Sequence, residues 1–122
     1  MSKKLYLLNS PVMPNSGIYM YKIVDLREFL DFYNLYKNLY GYDVVSAIGH
    51  EATAKLLSEL LYYEVPVNRI TIELRDRDVA LVIKIKQRLE EGKVLNNEEL
   101  EAMINAGMIE FGIVEYRSVC DR

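Results

Sequence analysis

The chain has 122 residues, 51% hydrophobic and 27% charged, which suits one globular domain with a single core. Its net charge of −3 excludes a general attraction to nucleic acid, so an anion binder must use a local cluster of positive charge. One histidine and one cysteine, His50 and Cys120, exclude an internal disulfide and a Cys/His zinc site and make the cytoplasm the default compartment.

Lys3 and Lys4 lead straight into the apolar run from Lys4 to Asn9 (KLYLLN). That run is too short for a signal peptide and predicts a first strand, closed by Asn9-Ser10-Pro11. No apolar stretch approaches the roughly 20 residues of a membrane helix. Pro11, Pro14 and Asn15-Ser16-Gly17 are turn chemistry. Ile18 to Val24 (IYMYKIV) is aromatic and β-branched and predicts a second strand. Asp25 can cap a helix from Leu26 to about Tyr40, with Leu26, Phe29, Leu30, Tyr33 and Tyr36 at helical spacing and Gly41 ending it. A second helix is expected from about Gly49 to Tyr62, with Leu56, Leu57, Leu60 and Leu61 on its apolar face.

Arg69 to Leu74 (RITIEL) alternates as a strand does. Arg75-Asp76-Arg77-Asp78 reads as a turn, and Val79 to Gln87 as the second arm of a hairpin. Asn97 can cap a third helix through Asn105, Met108 to Tyr116 predicts a last strand, and 117–122 a flexible polar tail. The order β-β-α-α-β-β-α-β over 1–122 predicts a single α/β domain, a mixed sheet of about five strands flanked by helices.

Three stretches can carry chemistry. Gly49-His50 stands where the second helix is expected to begin. Free N–H groups and the positive end of the helix dipole bind phosphate there, glycine permits close approach, and Thr53 adds a hydroxyl one turn on. The imidazole can pass a proton near neutral pH. The same pair also suits a histidine that merely packs and donates one hydrogen bond. Val82, Lys84, Lys86 and Arg88 share one strand face, which is either a basic stripe or a solvated surface. Gln87-Arg88-Leu89-Glu90-Glu91-Gly92-Lys93 offers an arginine able to hold a phosphate bidentately and a carboxylate able to charge an imidazole, or a plain polar loop.

These stretches resemble the viral ring nucleases, the type III anti-CRISPR family. The matching pieces are Leu7-Leu8-Asn9-Ser10, Ser46-Ala47-Ile48-Gly49-His50-Glu51-Ala52-Thr53, Asn68-Arg69-Ile70-Thr71-Ile72-Glu73 and Gln87-Arg88-Leu89-Glu90-Glu91-Gly92-Lys93. The resemblance implies a homodimer that binds cyclic tetra-adenylate and linearises it without metal or cofactor, switching off type III CRISPR signalling. It implies His50 as general acid, Arg88 on the scissile phosphate and Glu91 as acidic partner. Asn9, Ser10, Gly49, Thr53 and Arg69 are implied to contact the ligand. Members carry Asn-Ala-Phe-Ser after the first strand and Gly-His-Asp-Ser-Thr at the helix start; this chain has Asn9-Ser10-Pro11-Val12 and Glu51-Ala52 before Thr53. No membrane and no double-stranded nucleic acid are expected as partners.

Overall fold

A computed structural model describes residues 3–86 and 96–119. Strand β1 (Lys4–Leu8) is buried at four of its five positions. That is the signature of a strand covered on both faces, and it explains the unbroken apolar run LYLL. It pairs in parallel with β3 (Asp43–Ser46) on one side and β4 (Val79–Ile85) on the other. Strand β5 (Ile109–Arg117) runs antiparallel to β4, and β2 (Ile18–Val24) antiparallel to β5. The result is the expected mixed five-stranded sheet, in the order β2-β5-β4-β1-β3.

One face of the sheet carries the helices. Leu5, Leu7, Leu81, Ile83, Phe111 and Ile113 pack against Phe29 and Tyr33 of α1 (Leu26–Asn34) and against Leu56, Leu57 and Leu61 of α2 (Glu51–Leu61). Asp25 caps α1 as expected, its side chain accepting from the Glu28 N–H at 2.8 Å. Beyond Asn34 the helix widens into a π-turn, Leu35–Leu39, closed by Tyr40 N–H donating to the Leu35 carbonyl at 3.0 Å. Helix α3 (Asn97–Asn105) is capped by Asn96, not by Asn97. Asn96 accepts from the Glu99 N–H and Glu99 reaches back to the Asn96 N–H, a reciprocal capping box that fixes the start one residue earlier.

The other face is covered differently from expectation. Arg69 to Leu74 is not a strand and forms no hairpin with β4, because β1 and β5 already occupy both edges of β4. The segment lies as an irregular strap over the sheet. Its alternation is real, since Ile72 and Leu74 are buried against Tyr6, Leu8, Ala80, Val82, Val114 and Tyr116 while Thr71 and Glu73 face out. The fifth strand is instead β3, four residues that pair only with β1. The Arg75 to Asp78 turn is present, with Asp78 N–H donating to the Arg75 carbonyl at 2.9 Å.

Candidate functional site

Strands β4, β1 and β3 are neighbours and parallel, so their carboxyl ends share one edge of the sheet. That edge is where open α/β sheets hold ligands. From β1 it receives Asn9 and Ser10, from β3 the run Ala47-Ile48-Gly49-His50, and from β4 Lys86. Asn9, Ser10, Gly49, His50 and Lys86, all singled out in the sequence, therefore converge on one edge.

His50 is the N-cap residue of α2, with extended φ −119° and ψ 129°, so the helix begins at Glu51 and not at Gly49. Its carbonyl accepts from Ala54 N–H at 3.0 Å, closing the first turn. The N–H groups of Glu51, Ala52 and Thr53 have no carbonyl one turn back and point out of the helix start. Most helices satisfy such groups with Ser, Thr, Asp or Asn at the N-cap. Here no side-chain cap is made. His50 is exposed, and among the described residues its imidazole has no hydrogen-bond partner.

The strap braces this corner. The Arg69 Nε–H donates to the Gly49 carbonyl at 3.0 Å. A Cβ on Gly49 would stand 3.4 Å from Arg69 Cγ, an ordinary van der Waals distance, so the arginine stem lies along the backbone beside His50 without requiring a glycine there. No carboxylate among the described residues pairs with Arg69. One residue earlier, Asn68 N–H donates to the Ile48 carbonyl at 2.8 Å and Asn68 Nδ2 to the Ser46 carbonyl at 2.8 Å. Buried Ser46 completes the tie. Its Oγ–H donates to the Pro66 carbonyl at 2.6 Å, and the same oxygen accepts from Ile48 N–H at 3.3 Å. Ser46 and Asn68 thus position Gly49 and His50, a role that their residue types and spacing did not disclose.

Beside the brace lies a cavity of about 220 Å³, lined among others by Asn9, Ser10, Ala47, Ile70 and Thr71. Asn9 and Ser10 are thereby joined to the β3 exit and the strap. Thr53 is 7% exposed, so its side chain is buried and not open beside His50. The basic stripe is also reduced: Val82 is buried in the second core, and Lys86 pairs with Glu110 at 3.5 Å. Lys84 lies across from the same Glu110 and is exposed. Arg88 and Glu91 lie outside the described residues, as do Cys120 and the end of the expected tail. Among the described residues no group of three His, Cys, Asp or Glu side chains could hold a metal ion, and no helix is long and apolar enough to cross a membrane.

Fold and site together define a small open-sheet α/β protein with an exposed histidine at an uncapped helix start on the carboxyl edge of its parallel strands. The chain belongs to the STIV B116-like family, whose model matches residues 5–112. It is 39% identical to protein 26 of Sulfolobus islandicus filamentous virus (isolate Iceland/Hveragerdi) over 112 residues, 92% of this chain and 93% of that protein. It is 36% identical to ORF116 of Acidianus filamentous virus 1 (isolate United States/Yellowstone) over 116 residues, 93% of this chain and 97% of that one. The solved structure of B116 of Sulfolobus turreted icosahedral virus matches with a TM-score of 0.79 and 31% identity, covering 92% of this chain and 98% of that one. These relatives are viral proteins, as the resemblance in the motifs implies.

Proposed function

We propose that this protein is a metal-independent ring nuclease that binds cyclic tetra-adenylate as a homodimer and linearises it in the host cytoplasm, removing the messenger of type III CRISPR immunity. The observation that carries the reading is His50, an exposed imidazole at the N-cap of a helix whose first N–H groups have no side-chain cap. An uncapped helix start forgoes about 1 kcal/mol that Ser or Asp at that position would supply. The same N–H groups are available to a phosphate. Supporting it are the Arg69 guanidinium held against Gly49, the Asn9–Ser10 cavity alongside, and the motif order shared with ring nucleases.

The chemistry follows from these groups. A ribose 2′-hydroxyl gives up its proton to water as its oxygen attacks the adjacent phosphorus, the bond from phosphorus to the 5′-oxygen breaks, and a 2′,3′-cyclic phosphate and a 5′-hydroxyl result. Rigid binding of the ring supplies alignment. The α2 N–H groups and Arg88 stabilise charge on the phosphoryl oxygens. His50, protonated and charged by Glu91, delivers a proton to the departing 5′-oxygen. Two His50 edges facing one ring across a two-fold axis would engage its matching halves.

The test is His50→Ala. Its affinity for cyclic tetra-adenylate should stay near that of the wild type, since many groups share the binding. Its single-turnover cleavage, resolved by chromatography with divalent metal chelated, should fall by roughly 10²–10⁴. Cleavage at the wild-type rate removes His50 from the chemistry. Tight binding by the wild type with no linear product would make the protein a sequestering module instead.

A further inference from the structure

We propose that Asn15 is a positioning residue for the ring: its side-chain amide clasps the Asn9–Ser10 loop to the strap, setting the width of the cavity between them and with it the affinity for the ring. The proposal rests on the ring-nuclease reading. It gives a role to Asn15-Ser16-Gly17, which the sequence marks only as a turn. The cavity of about 220 Å³ is walled mainly by two stretches of chain. Asn9, Ser10, Val12 and Pro14 come from the loop after β1, and Ile70 and Thr71 from the strap. Among the described residues no hydrogen bond joins 9–14 to 66–73. The two walls are tied one residue beyond, where Asn15 meets Leu74.

The tie is reciprocal. Asn15 Nδ2 donates to the Leu74 carbonyl at 2.9 Å, and Leu74 N–H donates to Asn15 Oδ1 at 3.0 Å. A carboxamide carries a donor and an acceptor side by side, so it pairs with a peptide group as a second peptide would. Leu74 is itself buried in the second core, which fixes the strap end of the clasp. The loop end is fixed by two tyrosines. Asn15 Nδ2 also donates to the Tyr116 hydroxyl at 3.1 Å, and that hydroxyl donates to the Ser16 carbonyl. The Tyr19 hydroxyl accepts from Asn15 N–H at 3.3 Å and donates to the Asn15 carbonyl at 2.6 Å. A Cβ on Gly17 would collide with the Tyr116 ring, so glycine is what lets the turn close on it.

Both walls carry this fixed point to the site. Pro11 and Pro14 lock their φ angles, so the short run from Asn15 back to Ser10 has little slack. On the strap, buried Ile72 anchors the run from Leu74 back to Arg69, whose Nε–H is bound to the Gly49 carbonyl. Asn15 therefore acts through Asn9, Ser10 and Arg69, the groups that would contact the ring, and takes no part in proton transfer by His50. An ionised aspartate at this position lacks the donor, and alanine lacks both halves of the pair.

The test sets Asn15→Ala and Asn15→Asp beside Ser58→Ala, whose lost hydroxyl lies near the far end of α2. Cyclic tetra-adenylate is the probe, in equilibrium binding and in single-turnover cleavage with divalent metal chelated. At neutral pH both Asn15 variants should hold the ring about tenfold more weakly, because binding must then order two untied walls. Their cleavage rate at saturating ring should stay within about twofold of the wild type, the mark of lost binding and not of lost chemistry. Ser58→Ala should bind the ring normally. A protonated carboxyl regains the donor, so the affinity of Asn15→Asp relative to the wild type should recover as pH falls through the carboxyl range. Asn15→Ala should show no such recovery. Unchanged affinity in Asn15→Ala overturns the proposal, as does an equal loss in Ser58→Ala or a saturated rate that falls as far as the affinity. Where Asn15→Ala fails to fold, the pH series decides alone, and a ratio for Asn15→Asp that does not move with pH overturns the clasp. A wild type that binds the ring without cleaving it removes the nuclease reading and leaves the affinity comparison intact. A wild type that does not bind the ring overturns both.

Discussion

Ser46→Ala tests the brace behind His50. The hydroxyl serves two buried or half-buried backbone groups, donating to the Pro66 carbonyl at 2.6 Å and accepting from the Ile48 N–H at 3.3 Å. The first bond is worth about 0.5–1.5 kcal/mol net, and its carbonyl can turn to water because Pro66 is exposed. The second loss is heavier, because Ile48 is fully buried and a stranded N–H costs about 1–3 kcal/mol. The sum is about 1.5–4.5 kcal/mol, or roughly 6–18 °C in Tm for a chain of this size. Urea and thermal unfolding measure it. Ser58→Ala is the control. Its hydroxyl donates to the Ala54 carbonyl at 2.7 Å and accepts from Val65 N–H at 2.8 Å, near the far end of α2. Both variants should lose stability, but Ser46→Ala alone should also slow ring cleavage at a temperature where both are folded, because it frees the Ala47 to His50 run. A stability loss under about 0.5 kcal/mol, below the range expected for a stranded buried donor, would show that the brace is not held by this hydroxyl.

Three further outcomes are expected. Tyr33 is buried with no hydrogen-bond partner for its hydroxyl among the described residues, and burial, with a smaller contribution from Tyr63, pushes its pKa up to about 12. The folded state keeps this phenol neutral while the unfolded chain ionises near 10, so stability falls as pH rises between those values. Tyr33→Phe should flatten that alkaline slope in urea titrations and leave neutral-pH stability equal, or higher by up to about 1 kcal/mol. Asp78→Ala should cost about 2–4 kcal/mol, since the buried carboxylate accepts from Lys4 N–H and Arg75 N–H, both at 2.9 Å. It sits at the opposite end of the strands from His50, so the cleavage rate of the folded variant should be unchanged. Arg88→Ala should weaken ring binding and cleavage by about 1.5–3 kcal/mol in titration and single-turnover assays, and Arg88→Lys should restore only part, lacking the planar fork.

Legibility in the sequence followed what each segment asks of its neighbours. The apolar run KLYLL and the helical stripe through Phe29 and Tyr33 announce their own burial, and both elements form where the pattern places them. RITIEL announces burial of Ile72 and Leu74 equally well, but period-two alternation says nothing of a ladder partner, and the segment became a strap. Strand β3 is not legible in the sequence, because DVVS is too short to show a period and owes its state to pairing with β1. His50 at a helix start was legible from the glycine before it and the leucine stripe after it. The inward turn of Thr53 was not, because it depends on which side of α2 meets the sheet. Ser46 and Asn68 were silent for a related reason: their hydrogen bonds run between segments some twenty residues apart and exist only once the strap is laid down.

The place of β5 governs when this molecule can exist at all. It is the last of the five described strands to be synthesised, yet it stands between β2 and β4, and among the described residues β2 has no other ladder partner. On the ribosome, IYMYKIV must wait through some eighty further residues before its mate emerges, and no early hairpin can shelter it in the meantime. Pairings this distant in sequence are slow to close. A nascent chain with a waiting apolar strand is exposed to capture by other chains. A truncation before Ile109 should yield insoluble product, however complete its helices and its histidine corner.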